Sequence, residues 1–263
     1  MNSKVRRRLK SLILTVLGVA VFLGLWQLAI NVFHIKKYVL PSPVAVLQSL
    51  FDPALAAKNN WWLNISTTAT EILLGFAVTL IAGVGLALII AWSKWLNKLV
   101  MPVIVLLNSI PKIALAPLFL LWFGYGLRTN VLVAVLVAFF PVIINMVTGL
   151  IEVDENLLDL VHYLNATKLQ VFLKIRIPNA LPHLFAGIKT SATMCVTGAI
   201  VGEFIASRSG LGRLLRSAQA NIDMATMFAC LLLLSVLGLL FFRLIAIIER
   251  IVMPWVHSRA GEE

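Results

Sequence analysis

Long apolar runs separated by short polar breaks govern the chain from end to end. Runs at 12–33, about 68–92, about 99–123, about 129–150, about 184–206 and about 225–248 are each long enough for a bilayer-crossing helix, which needs roughly 20 residues. The pattern predicts an all-α integral membrane protein with about six transmembrane helices. Pro102, Pro111 and Pro117 interrupt the third run. Each removes a backbone donor, so a kinked helix is expected there. Between the first two runs lies a mixed loop with LPSP at 40–43, an amphipathic run to Phe51, and Trp61-Trp62, a pair suited to a membrane interface.

One polar stretch, 154–182, has a different period. Leu157, Leu158, Leu160, Val161 and Leu164 recur on one helical face, with Glu155, Asp159 and His162 on the other. Asn165 follows, a residue that tolerates the left-handed conformation of a sharp bend. Thr167 and Gln170 have the spacing of a capping box, which starts a second helix bearing Leu169, Phe172 and Leu173. Pro178 is expected to stop it. The result is a helix–bend–helix elbow between two membrane spans.

This elbow resembles the cytoplasmic coupling loop (the EAA loop) of permease subunits in bacterial ATP-binding-cassette importers. Asp159, Leu160 and Val161 stand at the Glu-Ala-Ala positions, Asn165 at the glycine, and Ile177-Pro178 at the close. The runs IPKIALAPLFLLWFGYG at 110–126, FFP at 139–141 and GEFIAS with SGLG at 202–212 are similar to the nitrate/sulfonate/taurine-type permeases. The resemblance covers roughly 38–256. It implies two permease copies (a homodimer), two ATPase subunits gripping the elbows, and an extracytoplasmic solute-binding protein, in the bacterial inner membrane. The coupling residues it implies are Leu157, Asp159, Leu160, Val161, Leu164, Asn165, Ala166 and Pro178. The cargo would be a small solute of the aliphatic sulfonate, taurine, nitrate or pyrimidine-precursor type. The corresponding segments are a basic arm and first span at 1–33, an external loop at 34–66, a permease core at 67–256 with the coupling loop at 154–178, and a cytoplasmic tail at 257–263.

Composition agrees with the periodicity. The 263 residues are 60% hydrophobic and 13% charged, against about 25% in a soluble domain. The net charge of +11 could point to nucleic acid. Its distribution argues for a membrane topology instead: with the N-terminus inside, twelve Lys and Arg fall on cytoplasmic segments and seven on external ones. The same count places both termini and the elbow in the cytoplasm, in contact with bilayer and protein and not with nucleic acid. Cys195 and Cys230 lie inside spans and read as small buried hydrophobes. There is no phosphate-binding loop, metal spacing or catalytic triad. ATP hydrolysis and its magnesium are therefore expected on a partner, with no cofactor on this chain.

Lys112 and Glu203 are the ionisable residues deepest in apolar sequence, and a charge at the bilayer centre costs about 2.5–3.5 kcal/mol. They are expected to flank the translocation path, or, for Glu203, to pair with Arg208 near a span end. Glu71 and Lys189 are expected to snorkel. Gly198, Gly202 and Ala206, with Gly187 and Ser191 on another line, would let helices approach closely around the path or the dimer seam. An ion-coupled secondary transporter is the alternative, but it favours matching breaks in two halves, and only the third span is broken. An intramembrane enzyme would need convergent His, Asp or Glu within spans.

Overall fold

The computed structural model describes residues 3–254, and side chains from residue 13 on with the exception of 15; the expected tail at 257–263 lies outside the described residues. The described residues form helices without strands, as the periodicity predicts. The chain divides into two compact units, Met1–Trp62 with Leu214–Leu233, and Leu63–Arg213 with Leu234–Glu263.

The first unit begins with α1 (Ser3–Val32), which takes up the expected arm as well as the first span. Side chains of Lys4, Arg6, Arg7, Arg8 and Lys10 lie outside the described residues. The expected loop at 34–66 is largely helical, with α2 (Pro43–Phe51) and α3 (Pro53–Asn59). Both begin on a side-chain cap followed by proline. Ser42 Oγ accepts from Ala45 N–H, and Asp52 Oδ1 from Ala54 and Leu55 N–H. Proline loses nothing at a first helical position, so Ser-Pro and Asp-Pro were helix starts that the broad loop expectation missed. Buried polar bonds then tie this unit together. Thr226 Oγ1 lies 3.0 Å from Ser49 Oγ, and Trp61 Nε1 donates to Ser49 O at 3.1 Å. Trp61 is thus buried, and of the tryptophan pair only Trp62 faces outward.

The second unit holds most of α4 (Trp61–Trp92), then α5 (Lys94–Asn108), a 3-10 turn at Lys112–Leu115, α6 (Ala116–Phe123) and α7 (Leu127–Ile151). The expected kink is a 78° bend between α5 and the Lys112–Phe123 segment. Pro111 marks it, whereas Pro102 is accommodated inside α5 and Pro117 falls in the first turn of α6. Of three prolines, the one at the break stops a helix.

After the elbow, α10 (Ile177–Ala206) packs along α7. Both lines of small residues on α10 serve this one contact within the chain. A β-carbon on Gly198 would stand 2.7 Å from Ala134 Cα, and one on Gly187 2.8 Å from Pro141 O. Ser191 Oγ donates to Ala138 O at 2.5 Å. Backbones this close gain dispersion contacts that bulkier residues would prevent. Two apolar clusters flank the seam, one around Ile72, Ala138, Cys195 and Phe241, the other around Ile90, Ile143, Leu150 and Phe172. The chain then forms α11 (Leu211–Ala220) and α12 (Met224–Val252). The first of these falls in the polar break between the last two apolar runs, where no helix is expected from hydropathy. Leu211, Leu214, Leu215 and Ala218 are buried at helical spacing, which offsets the arginines between them. Among the described residues four helices are long and apolar enough to cross a membrane, the bent α5–α6 pair makes a fifth, and Val16–Val32 is the apolar described portion of α1.

Candidate functional site: the elbow and the buried charges

The elbow forms as the residue pattern predicts up to its second helix. In α8 (Glu155–Tyr163) the Asp154 carboxylate accepts from Asn156 N–H at 2.8 Å, and Glu155 complements the positive helix start. At the other end Asn165 is left-handed, with φ 53°. Asn165 N–H donates to His162 O and Ala166 N–H to Val161 O, the paired closure that ends helices through a left-handed residue. Thr167 and Gln170 form the expected reciprocal cap on α9 (Lys168–Val171).

The second helix does not stop at Pro178. A wide π turn at Phe172–Arg176 joins α9 to α10, and Lys168–Ala206 runs as one 39-residue helix. Pro178 falls in the first turn of α10, directly after the wide turn, and supplies no N–H to the turn before it. The last coupling residue is therefore a point inside a long helix and not its end.

Exposure separates the apolar residues of α8 into two rows. Leu158 and Val161 are half-buried, whereas Leu157, Leu160 and Leu164 face out with Tyr163, the most exposed at 87%. Asp159 is also exposed and Ala166 half-buried. Tyr163 was missed because it falls on neither face of the helical pattern. Asn179 was missed as well. Its Nδ2 donates to Gly149 O at 2.9 Å and Glu152 O at 3.0 Å, fastening the end of α7 to the start of α10. A single Asn between prolines carries no signal of that role.

Glu203 and Lys112 have different surroundings. Glu203 is fully buried, with Thr68 Oγ1 2.5 Å from its Oε1 and Gly212 N–H donating to Oε2 at 2.6 Å. Its oxygens serve those partners and not Arg208. Two neighbouring backbone donors are held likewise: Gly210 N–H by Asn64 Oδ1 and Leu211 N–H by Thr68 Oγ1. Side chains of α4 and α10 thereby capture three successive donors leading into α11. Glu71 does not snorkel. It is buried and accepts from Asn130 Nδ2 at 2.7 Å. Lys189 is paired with Glu249 at 2.9 Å.

Lys112 lines a cavity of about 330 Å³ at the α5–α6 bend, with Ile110, Pro111, Ile113, Val137, Met194 and Thr197. Its Nζ donates to Asn108 Oδ1 at 2.6 Å and stands 4.8 Å from the Phe140 ring centre, a favourable cation–π distance. Of the two expected path residues, this one faces open space.

Known proteins place the chain. Residues 82–253 match the family described as binding-protein-dependent transport system inner membrane component. The chain is 32% identical to the formylaminopyrimidine transport permease protein ThiX of Halalkalibacterium halodurans, over 88% of this chain and 91% of that one. It is 34% identical to the riboflavin transport system permease protein RibX of Chloroflexus aurantiacus, over 89% and 86%. It is 29% identical to a putative aliphatic sulfonates transport permease protein, SsuC, of Bacillus subtilis, over 92% and 87%. The fold is similar to a solved structure of the MetNI methionine ABC transporter in an inward-facing conformation, with a TM-score of 0.56, 22% identity, and coverage of 73% of this chain and 93% of that one. The chain belongs to the binding-protein-dependent transport system inner membrane components, and is a multi-pass permease of the ABC transporter type.

Proposed function

We propose that this chain forms the translocation path of an ATP-driven importer in a bacterial inner membrane, working with a second copy of itself. An ATPase subunit grips each elbow through Leu157, Leu160, Tyr163 and Leu164, with Asp159, Val161, Asn165, Ala166 and Pro178 shaping the surface it meets. ATP and magnesium act on that partner, and this chain carries no cofactor. Both termini and the elbow face the cytoplasm, and a solute-binding protein delivers cargo from outside. The observation that carries the reading is the elbow itself: a row of exposed leucines and a tyrosine ending at a left-handed bend, in a helix–bend–helix between spans. Apolar side chains exposed on a polar segment suit a protein partner.

The cargo is a small organic solute, and a nitrogen heterocycle stands ahead of an aliphatic sulfonate. Two relatives above 30% identity are named for a formylaminopyrimidine and for riboflavin. The mostly apolar cavity at the α5–α6 bend, with one cationic donor, suits a flat ring carrying acceptor atoms. Lys112 contributes to this path, whereas Glu203 supports its wall.

The experiment is affinity purification of the tagged chain from native membranes in mild detergent, with mass spectrometry of what accompanies it. A stoichiometric ATPase with a phosphate-binding loop is expected, and its binding protein can then be screened against pyrimidines, flavins and sulfonates. A homogeneous chain without ATPase that moves solute without ATP would overturn the reading.

A further inference from the structure

From the wide turn at Phe172–Arg176 and its two anchors we infer a joint that transmits movement of the elbow into the membrane bundle, with Asn179 as its positioning residue. The inference rests on the proposed coupling role of the elbow. It goes beyond that role by assigning the mechanical element.

Three observations converge on this segment. First, the backbone changes from α to π geometry for five residues and back to α without a break. Such turns are rare, occur mostly as single wide turns inside α-helices, and are frequent at functional sites. One flank is the single turn of α9 and the other the 30-residue α10, and the wide turn between them is where the helix changes length or rotation with the fewest bonds exchanged. Second, the ladder is weakened immediately afterwards. Pro178 and Pro182, four residues apart, both lack the N–H that would donate to the preceding turn. The α-helical ladder is thus interrupted repeatedly across 172–182.

Third, the segment is fastened on both sides. At its start Phe172 is buried and meets Trp92, at the end of α4, edge to face with ring centres 5.0 Å apart. At its far side Asn179 Nδ2 reaches the carbonyls of Gly149 and Glu152 at the end of α7. Both N–H groups of one amide are used, so the end of α7 and the start of α10 move together. A load on the exposed tip at Tyr163 therefore passes into α10 along the helix, into α4 through Phe172, and into α7 through Asn179. A flexible loop in this position would dissipate it.

A wide turn equals an α-helix with one residue inserted, so deleting Leu173, which is exposed, leaves the two flanks on their faces and removes the turn alone. Two measurements test the joint. In the full chain in lipid nanodiscs, hydrogen exchange of the amides at 172–177 is expected to be faster than at 183–190, and to fall to that level after the deletion. In the complex with its ATPase, the deletion and Asn179→Asp, which keeps the size and loses both donors, are expected to retain ATPase association and hydrolysis while losing uptake. Equal protection of the two segments in the parent chain, or uptake per ATP unchanged in both variants, overturns the joint. Failure of the parent chain to retain an ATPase would count against the proposed function instead, and the exchange measurement would still decide whether the turn yields.

Discussion

The carboxylate of Glu203 occupies the space into which a β-carbon on Gly210 would project. Gly210 also has φ +106°, a conformation that side-chain-bearing residues rarely adopt. Glycine is thus required there twice, for the backbone and for the approach of the acid that holds the next helix start. Gly210→Ala is expected to lower stability by roughly 2–3 kcal/mol from strain and displaced hydrogen bonds. Gly124→Ala, at φ +74° and ψ −172° with nothing nearby, meets the backbone strain alone, about 1–2 kcal/mol, and should cost less. Thermal unfolding of the purified variants in one detergent checks the order.

The seam between α7 and α10 makes an opposite pair of predictions for two glycines inside helices. Gly198→Ala should destabilise, because its β-carbon meets Ala134 Cα and neither backbone can retreat alone. Gly85→Ala, with open space around it, should stabilise by about 0.5–1 kcal/mol through helix propensity. Midpoints of thermal unfolding that move the same way for both would contradict the packing.

Lys189 and Glu249 form a partly buried pair joining α10 and α12. Lys189→Met or Glu249→Gln alone leaves one group without its partner, and each single change should reduce stability more than the two together. A double-mutant cycle read by unfolding gives the coupling, and additivity of the two would exclude it.

At the elbow, Asn165→Gly should be tolerated, since glycine adopts the left-handed bend without strain. Asn165→Pro fixes φ near −65° and removes the N–H bonded to His162 O, so the bend must rearrange. Asn165→Pro and Asp159→Lys should leave the chain inserted in the membrane and abolish ATPase retention in a pull-down.

Much of this architecture was legible before any coordinates, and the limits have physical causes. Local chemistry specified the elbow: Asn165 for the left-handed bend, and Thr167 with Gln170 for the cap. Proline was the ambiguous signal. Pro111 breaks a helix, Pro43, Pro53 and Pro117 begin one, Pro178 follows a wide turn within one, and Pro102 lies inside one. Which outcome holds depends on neighbouring caps and on the turn that precedes it. The partners of the two buried acids were hidden for another reason. Glu71 lies close to a span end, where a carboxylate can reach water, and the partners Thr68 of Glu203 and Asn130 of Glu71 are distant in sequence. Helix α11 was hidden because SGLG reads as a loop, although the apolar spacing that follows was available.

The most direct test is site-specific photo-crosslinking in native membranes, with the probe at Leu160 or Tyr163 on the elbow and at Ile81, on the exposed face of α4, as the control. The account predicts that both elbow positions capture one ATPase bearing a phosphate-binding loop, and that Ile81 does not. Elbow probes that capture lipid alone, while the chain still carries out ATP-dependent uptake, would contradict it.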